Sequence, residues 1–154
     1  MKKQPSSRMC FVCGASNPAG VHVRFYEQDD CSVLAKFTAG DEHQGYPGRM
    51  HGGVITSILD ETAGRAIMIT HGDKTWGVTA EINVQFRQPV PLGVELTVVG
   101  RITGETRRIF HGSAELYLPD GTVAAKSTGR YVRLDLEQIT DAEFEGEQWA
   151  VVPD

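Results

Sequence analysis

Residues 51–71 read HGGVITSILDETAGRAIMITH, and this segment predicts the long helix of the chain. From residue 54 onward the apolar side chains recur at helical spacing and form one wide face, and Gly72 follows as a stop signal. At 100° per residue, Ser57, Asp60 and Gly64 fall together on nearly the opposite side. The pattern therefore predicts a helix over residues 54–71 that places one carboxylate between two small residues.

Most of the chain outside this helix alternates apolar and polar residues, as half-buried strands do. The connections between most of the strands are short, which favours antiparallel pairing. We expect an α+β fold, with one long central helix wrapped by a curved, six-stranded antiparallel sheet. The predicted strands cover residues 21–27, 31–38, 78–87, 94–102, 107–118 and 122–134.

Length and charge limit the classes of protein that the chain can represent. Its 154 residues suffice for one domain, and its net charge is −5. Residues 135–154 hold seven acids and no Lys or Arg, which leaves +2 on residues 1–134. We predict an N-terminal arm over 1–20, a folded domain over 21–134 and an acidic tail over 135–154. A chain without a strongly basic face is not expected to bind nucleic acid.

Apolar runs fall far short of the ~20 residues that span a bilayer, and the first residues do not resemble a secretory leader. We therefore expect a cytoplasmic protein that does not enter membranes. The three cysteines suit reduced thiols better than a disulfide framework. Zinc ligation would need Cys10, Cys13, His22 and Cys31, a spacing that fits no common zinc site. We predict a packed N-terminal turn and no metal.

The helix begins at His51, Gly52 and Gly53, where backbone N–H groups lack partners within the helix. Glycines leave these donors uncovered, so that a carbonyl oxygen or oxyanion could reach them. Glu61 lies four residues before Arg65, the spacing of a helical ion pair. An ion pair with Arg65 accounts for the presence of Glu61, so Asp60 is the candidate catalytic carboxylate.

The stretch HGGVITSILDETAG resembles the signature of hotdog-fold thioesterases of the PaaI type, which place an Asp or Glu on the helix after a His-Gly-Gly turn. His51 and Asp60 match that register. The resemblance continues at Gly77-Val78-Thr79, Asn83, Pro89 and Leu92-Gly93, and at the opening Cys10-Phe-Val-Cys-Gly with Asn17-Pro18 and Gly20. It covers most of residues 10–134.

The resemblance implies hydrolysis of acyl-CoA thioesters without a cofactor, coenzyme A being part of the substrate. Asp60 matches the catalytic carboxylate, which acts as general base or nucleophile; Gly52 matches the backbone donor to the thioester carbonyl. Thr79 matches a residue that positions water, and His51 one that organises the loop. Some relatives carry an Asn where this chain has Gly45, so Gln44 beside it is the candidate for that amide. We expect substrate to contact the small residues Gly53, Ser57 and Gly64.

Three arginines are candidates for the phosphates of coenzyme A, since guanidinium groups bind phosphate well. Arg107 and Arg108 lie at a strand start, and Arg130 lies on the neighbouring predicted strand. Solvated charges at a strand edge explain the same pattern equally well.

The spacing of Gly52 and Asp60 predicts how subunits assemble. Eight residues along a helix separate them by roughly 12 Å, whereas reacting groups lie ~3–3.5 Å apart. The Gly52 of one subunit should therefore serve with the Asp60 of another, which requires a homodimer. The resemblance implies the same interface, often within a homotetramer built as a dimer of dimers.

Two other functions fit parts of the pattern. A hotdog-fold dehydratase, or hydratase, acting on acyl-CoA or acyl-carrier-protein substrates would pair His43 or His51 with Glu61. A non-catalytic module would bind acyl-CoA without turnover. The His-Gly-Gly entry and the register of Asp60 favour hydrolysis.

Overall fold

A computed structural model describes residues 1–141 and 149–153, apart from the side chain of residue 136. Within them, one antiparallel sheet surrounds a long helix, as predicted. The helices are α1 (Gly52–Arg65), α2 (Ile67–His71) and α3 (Leu136–Ile139), and a 3-10 turn covers Asp41–His43. The strands are β1 (Lys2–Lys3), β2 (Arg24–Glu27), β3 (Val33–Thr38), β4 (Thr75–Phe86), β5 (Glu95–Glu105), β6 (Ile109–Tyr117) and β7 (Val123–Asp135).

The sheet follows the order β1-β2-β3-β5-β6-β7-β4, and every neighbouring pair is antiparallel. The α+β class and the hotdog arrangement are therefore confirmed. The strand count was wrong by one, because the described chain forms seven strands rather than six. The extra strand, β1, pairs Lys2 with Glu27 and Lys3 with Tyr26. Two residues that pair across such a distance in sequence leave no local pattern to detect.

The core lies between α1 and the sheet. Ile55, Ile58 and Leu59 are fully or almost fully buried there. The helix approaches β5 so closely that a Cβ at Gly100 would lie 2.5 Å from the carbonyl oxygen of Thr62. Glycine at this position is what lets the helix pack directly on the strand.

The long helix differs from the prediction at its start and by one internal break. It begins at Gly52, where His51 caps it, rather than at residue 54. It is interrupted at Ala66, whose N–H bonds the carbonyl of Ala63 in a tighter turn, before α2 completes the predicted span. Gly72 then ends the helix in the left-handed region at φ 85°.

The N-terminal arm is joined to the rest of the fold by backbone hydrogen bonds. Gln4 N–H bonds the carbonyl of Phe25 at 2.9 Å, and Ser6 pairs with Ala150. Residues 142–148 of the predicted acidic tail lie outside the described residues. Beyond them, Trp149 packs on Trp76 with ring centroids 4.6 Å apart. The N-terminal arm and residues 149–150 thus lie together. No helix in the described part of the chain is long and apolar enough to cross a bilayer.

Candidate active site

Asp60 and Thr79 form the centre of the candidate site. Asp60 is half-buried on α1, and Thr79 lies on the adjoining strand β4. The Thr79 hydroxyl oxygen lies 2.9 Å from each carboxylate oxygen of Asp60, to which it donates. Thr79 therefore fixes the orientation of the carboxylate without neutralising its charge.

Tyr131 supports Asp60 from β7, a contact that the sequence did not predict. Its hydroxyl donates to the backbone carbonyl of Asp60 at 3.3 Å, and its ring is buried against Phe110. On sequence Tyr131 is one aromatic residue in an alternating strand, so nothing distinguishes it from core. The space for its ring depends on Gly129, because a Cβ there would lie 2.6 Å from the hydroxyl oxygen.

Two features of the surroundings of Asp60 shift its pKa in opposite directions. Burial raises the pKa of the Asp60 carboxyl, and the hydrogen bond from Thr79 works against that shift. Within the described residues no Lys or Arg forms a salt bridge with this carboxylate. A carboxylate that is oriented but lacks a cationic partner can accept a proton from water or attack an electrophile.

A cavity of about 230 Å³ opens beside this carboxylate. Asp60, Thr79 and Gly64 line it together. The N-terminal arm closes another side with Cys10 and Cys13.

The helix entry leaves one backbone donor without a partner. The Nδ1 atom of His51 accepts the N–H of Gly53 at 2.9 Å, so the His51 ring caps the helix. The Gly52 N–H has no acceptor among the described residues. The ring of His51 thus holds the first turn of α1, and its loop-organising role in catalysis stays a prediction. The Gly53 N–H is therefore bonded within the turn, and contact of Gly53 with substrate stays a prediction.

Gln44 and Ser57 make local bonds away from Asp60. The Gln44 side-chain oxygen accepts the N–H of Gly48 at 2.8 Å, which holds the glycine-rich loop in shape. The Ser57 hydroxyl donates to the carbonyl of Val54 at 2.7 Å. Neither residue lines the cavity beside Asp60.

The three candidate arginines fall into two separate clefts. Arg107 and Arg108 line a cleft of about 660 Å³ together with His71 and Arg133. Arg130 lines a second cleft, of about 510 Å³, and its guanidinium lies 3.4 Å from Glu81. The structure therefore keeps Arg107 and Arg108 together and separates Arg130 from them.

The residues of the dehydratase alternative are already engaged in other contacts. His43 is buried; its Nδ1 accepts the N–H of Gly40, and its Nε2 bonds the carbonyl of Ala19. Glu61 forms the predicted ion pair with Arg65 at 2.8 Å. His51 serves as the helix cap. No His–acid pair of the kind that a dehydratase needs forms among these residues.

One group of possible metal ligands forms in the described chain: Cys10, Cys13 and Glu61, with ligand atoms within 4.8 Å of one another. His22 and Cys31, the other members of the considered zinc set, do not join it. Arg65 places a guanidinium nitrogen 3.2 Å from the Cys13 sulfur and 2.8 Å from Glu61. The Arg65 guanidinium thus already pairs with two members of this group.

Comparisons with known proteins agree with this geometry. A sequence profile of the thioesterase superfamily matches residues 47–125, which include Asp60 and Thr79. The acyl-coenzyme A thioesterase THEM4 of Bos taurus is 28% identical over 137 residues, covering 86% of this chain and 54% of that protein. The chain thus spans about half the length of the THEM4 proteins that it matches.

Solved structures are also similar to this chain. A thioesterase superfamily protein is 29% identical, with a TM-score of 0.72 over 81% of this chain and 63% of its own. A Streptococcus mutans protein bound to acetyl-CoA is 18% identical, with a TM-score of 0.64 over 73% of this chain and 89% of its own, a likeness in fold. The profile match spans half of the sequence and includes the helix, the His-Gly-Gly entry and the Asp60–Thr79 pair. This chain therefore belongs to the thioesterase superfamily.

Proposed function

We propose that this protein hydrolyses an acyl-CoA thioester to a free acid and coenzyme A. The observation that carries the proposal is the Asp60 carboxylate, which lines a cavity, is oriented by Thr79 and has no cationic partner in the described chain. Acting as general base, Asp60 takes a proton from the attacking water; acting as nucleophile, it forms an anhydride that water then cleaves. Neither route requires a metal or redox cofactor.

Coenzyme A is the proposed carrier of the acyl group for two reasons. The THEM4 relatives are named acyl-coenzyme A thioesterases, and the fold neighbour from Streptococcus mutans holds acetyl-CoA. The cleft lined by Arg107 and Arg108 offers guanidinium groups to phosphates. Arg130 lies in the other cleft and is the weaker candidate, because Glu81 already pairs with it.

The Gly52 N–H is the proposed donor to the thioester carbonyl. It lies in the first turn of α1, where the helix dipole adds positive potential, and it has no acceptor in the described residues. As the carbonyl carbon becomes tetrahedral, its oxygen gains negative charge, which this N–H stabilises. By holding Gly53 through its ring, His51 fixes the turn that presents the donor.

The distance along α1 supports a site shared between two subunits. Eight residues of helix separate Gly52 from Asp60 by roughly 12 Å, too far for one carbonyl to reach both. Strand β4, which carries Thr79, lies at the edge of the sheet. Its Val78 and Phe86 side chains are large, apolar and exposed. We propose that a second copy covers this edge and contributes its Gly52, and that such dimers pair again.

The proposed activity can be tested by thiol release from acyl-CoA substrates, from short-chain to aromatic. Wild type should hydrolyse at least one of them, and Asp60→Asn should lose a factor of about 10²–10⁴ in rate while remaining folded. Asp29→Asn makes the same chemical change in an exposed turn and should retain full activity. Thiol release at the wild-type rate by Asp60→Asn would reject this role for Asp60. If the proteins bind acyl-CoA and none of the three hydrolyses it, the result would instead identify a binding module.

A further inference from the structure

Two cysteines of the N-terminal arm lie against the same cavity as Asp60. Cys10 and Cys13 share one tight turn, in which the Gly14 N–H bonds the Cys10 carbonyl at 2.8 Å. Their sulfur atoms lie within 4.8 Å of each other. Such a spacing lets a disulfide form after small rotations of the side chains, without rearrangement of the sheet.

The two thiols have opposite electrostatic surroundings. The Arg65 guanidinium lies 3.2 Å from the Cys13 sulfur, whereas a carboxylate oxygen of Glu61 lies 3.4 Å from the Cys10 sulfur. A guanidinium stabilises a thiolate, and a carboxylate keeps a thiol protonated by accepting its hydrogen bond. The hydrogen bond with Cys10 and the charge of Arg65 lower the pKa of Cys13, and the same hydrogen bond together with burial raises the pKa of Cys10.

Arg65 is an unusual residue for this position. It is 3% exposed and stacks on the Phe25 ring at 4.2 Å. A buried guanidinium is costly unless anions and acceptors surround it. Glu61 supplies one charge and the Pro5 carbonyl accepts a further hydrogen bond, and the third contact goes to the Cys13 sulfur. The proposed hydrolysis of a thioester uses none of these three contacts.

We propose that Cys10 and Cys13 are a site of reversible oxidation, at which a peroxide converts the dithiol to a disulfide. Cys13 is the thiolate that attacks, and Cys10 is the resolving thiol. Cys13 is 1% exposed, but both cysteines line the cavity of about 230 Å³, which admits a molecule as small as hydrogen peroxide. Bulky oxidants such as glutathione disulfide do not fit the same space.

The chemistry balances as follows. The Cys13 thiolate attacks one peroxide oxygen, the O–O bond breaks, and Cys13 becomes a sulfenic acid while hydroxide leaves and takes a proton to form water. Cys10 then attacks the Cys13 sulfur, and the sulfenic oxygen leaves as a second water. Glu61 accepts the proton of the Cys10 thiol and passes it to that departing oxygen. Two electrons move from the two sulfurs to the peroxide, and a dithiol reductant reverses the step.

Oxidation should also change the site, since the disulfide removes the thiolate beside Arg65 and the thiol beside Glu61. Both contacts adjoin the turn of α1 that carries Asp60. Activity is a secondary readout, however, because the primary test follows sulfur chemistry and does not depend on thioester hydrolysis.

The test uses the full chain with Cys31→Ser, which removes the exposed third thiol. After peroxide treatment and alkylation, trypsin releases Cys10 and Cys13 together in peptide 9–24. We expect that peptide to have lost two hydrogens and to carry no alkyl group, and to regain two alkylatable thiols after reduction. Alkylation of both cysteines after peroxide treatment would overturn the proposal, and so would a Cys13 sulfinic acid without disulfide.

Single variants assign the roles of the two cysteines. In Cys10→Ser, Cys13 should stop at the sulfenic acid, which dimedone traps; in Cys13→Ser, Cys10 should stay reduced. Trapping at Cys10 in Cys13→Ser would reverse the assignment. Arg65→Gln should slow oxidation of Cys13 by at least about tenfold. Arg65→Lys keeps the positive charge and loses the planar contacts, so Cys13 should oxidise in this variant at close to the wild-type rate; equally slow oxidation in Arg65→Lys would assign the effect to packing rather than to charge.

Discussion

The Tyr131 hydroxyl donates to the backbone carbonyl of Asp60, so that β7 holds the turn of α1 on which the acid lies. Tyr131 does not line the cavity; its hydroxyl donates to the main-chain carbonyl of Asp60, and its hydrogen bonding also lowers the pKa of the Asp60 carboxyl. It acts on the site by positioning Asp60.

Tyr131→Phe should therefore lower kcat several-fold, leave KM nearly unchanged and reduce the free energy of unfolding by about 0.5–1.5 kcal/mol. Steady-state kinetics and urea unfolding measure the two effects. Tyr117→Phe is the matched control, because the Tyr117 hydroxyl bonds Glu115 on β6. A kcat reduced equally by both variants would show that Tyr131 acts through general stability.

Removal of the Thr79 hydroxyl should shift the acid limb of the pH profile. The Thr79 hydrogen bond favours the charged form of Asp60 and so lowers its pKa. In Thr79→Val that pKa rises, and activity that depends on the carboxylate is lost at a higher pH than in wild type. At neutral pH we also expect kcat/KM to fall about tenfold or more, because a hydrogen bond to a charged group is lost.

Thr79→Ser keeps the hydroxyl and should retain the wild-type profile. The measurement is kcat/KM across the acidic range for the three proteins. An unshifted acid limb in Thr79→Val would show that Thr79 does not influence the pKa of Asp60.

Asp60→Asn should not destabilise the protein near neutral pH. Burial raises the pKa of Asp60 in the folded state, so the folded protein binds this proton more tightly than the unfolded chain does. The contribution of Asp60 to stability therefore becomes less favourable as pH rises through its unfolded and folded pKa values. The Asn side chain carries no charge, so the variant lacks the unfavourable free energy of burying a charged carboxylate. It should equal or exceed wild type in stability at neutral pH.

The difference in unfolding free energy between Asp60→Asn and wild type should shrink as pH falls and Asp60 becomes protonated. Urea unfolding at neutral pH and at about pH 4, close to the carboxyl reference value, measures this difference. A variant that is less stable than wild type at neutral pH, by an amount that does not change with pH, would contradict the assigned cause.

A methyl group at Gly100 should disturb the contact between helix and sheet. The new Cβ would lie 2.5 Å from the Thr62 carbonyl oxygen, a backbone atom that cannot turn aside. We expect Gly100→Ala to lower the free energy of unfolding by about 1–3 kcal/mol. Gly104→Ala, on the same strand with its nearest neighbour 4.0 Å away, should change it little. Equal stability of the two variants would mean that the helix can move away from β5.

The sequence predicted the features of the fold and site that depend on local patterns. The helix, the alternating strands, the Glu61–Arg65 pair and the common face of Asp60 and Gly64 all follow from spacing along the chain. The helix starts two residues early because the His51 ring caps it, and cap geometry depends on side-chain contacts that periodicity does not report.

Contacts between distant segments could not be predicted. β1 exists because Lys2 and Lys3 reach the strand at Glu27, and the Tyr131 bond joins β7 to a helix 71 residues earlier. Burial of Arg65 follows from the return of the N-terminal arm over α1. A single sequence carries no periodic signal for such pairings, since each depends on the folded topology.

The central claim is that the Gly52 of one subunit acts with the Asp60 of the other. Gly52→Pro tests the donor specifically, because proline is tolerated in the first position of a helix and removes the N–H. The extended backbone of His51, at φ −66° and ψ 134°, already suits a residue before proline. Gly52→Ala is the matched control: it adds a Cβ 3.4 Å from the Phe86 ring but keeps the donor.

The most direct measurement mixes inactive Gly52→Pro and Asp60→Asn proteins under conditions of subunit exchange and follows thioester hydrolysis. In a shared site, each mixed dimer contains one site with both residues intact, so random exchange should restore about a quarter of wild-type activity. A mixture as inactive as its two components, with mixed dimers demonstrated by native mass spectrometry, would contradict the shared site.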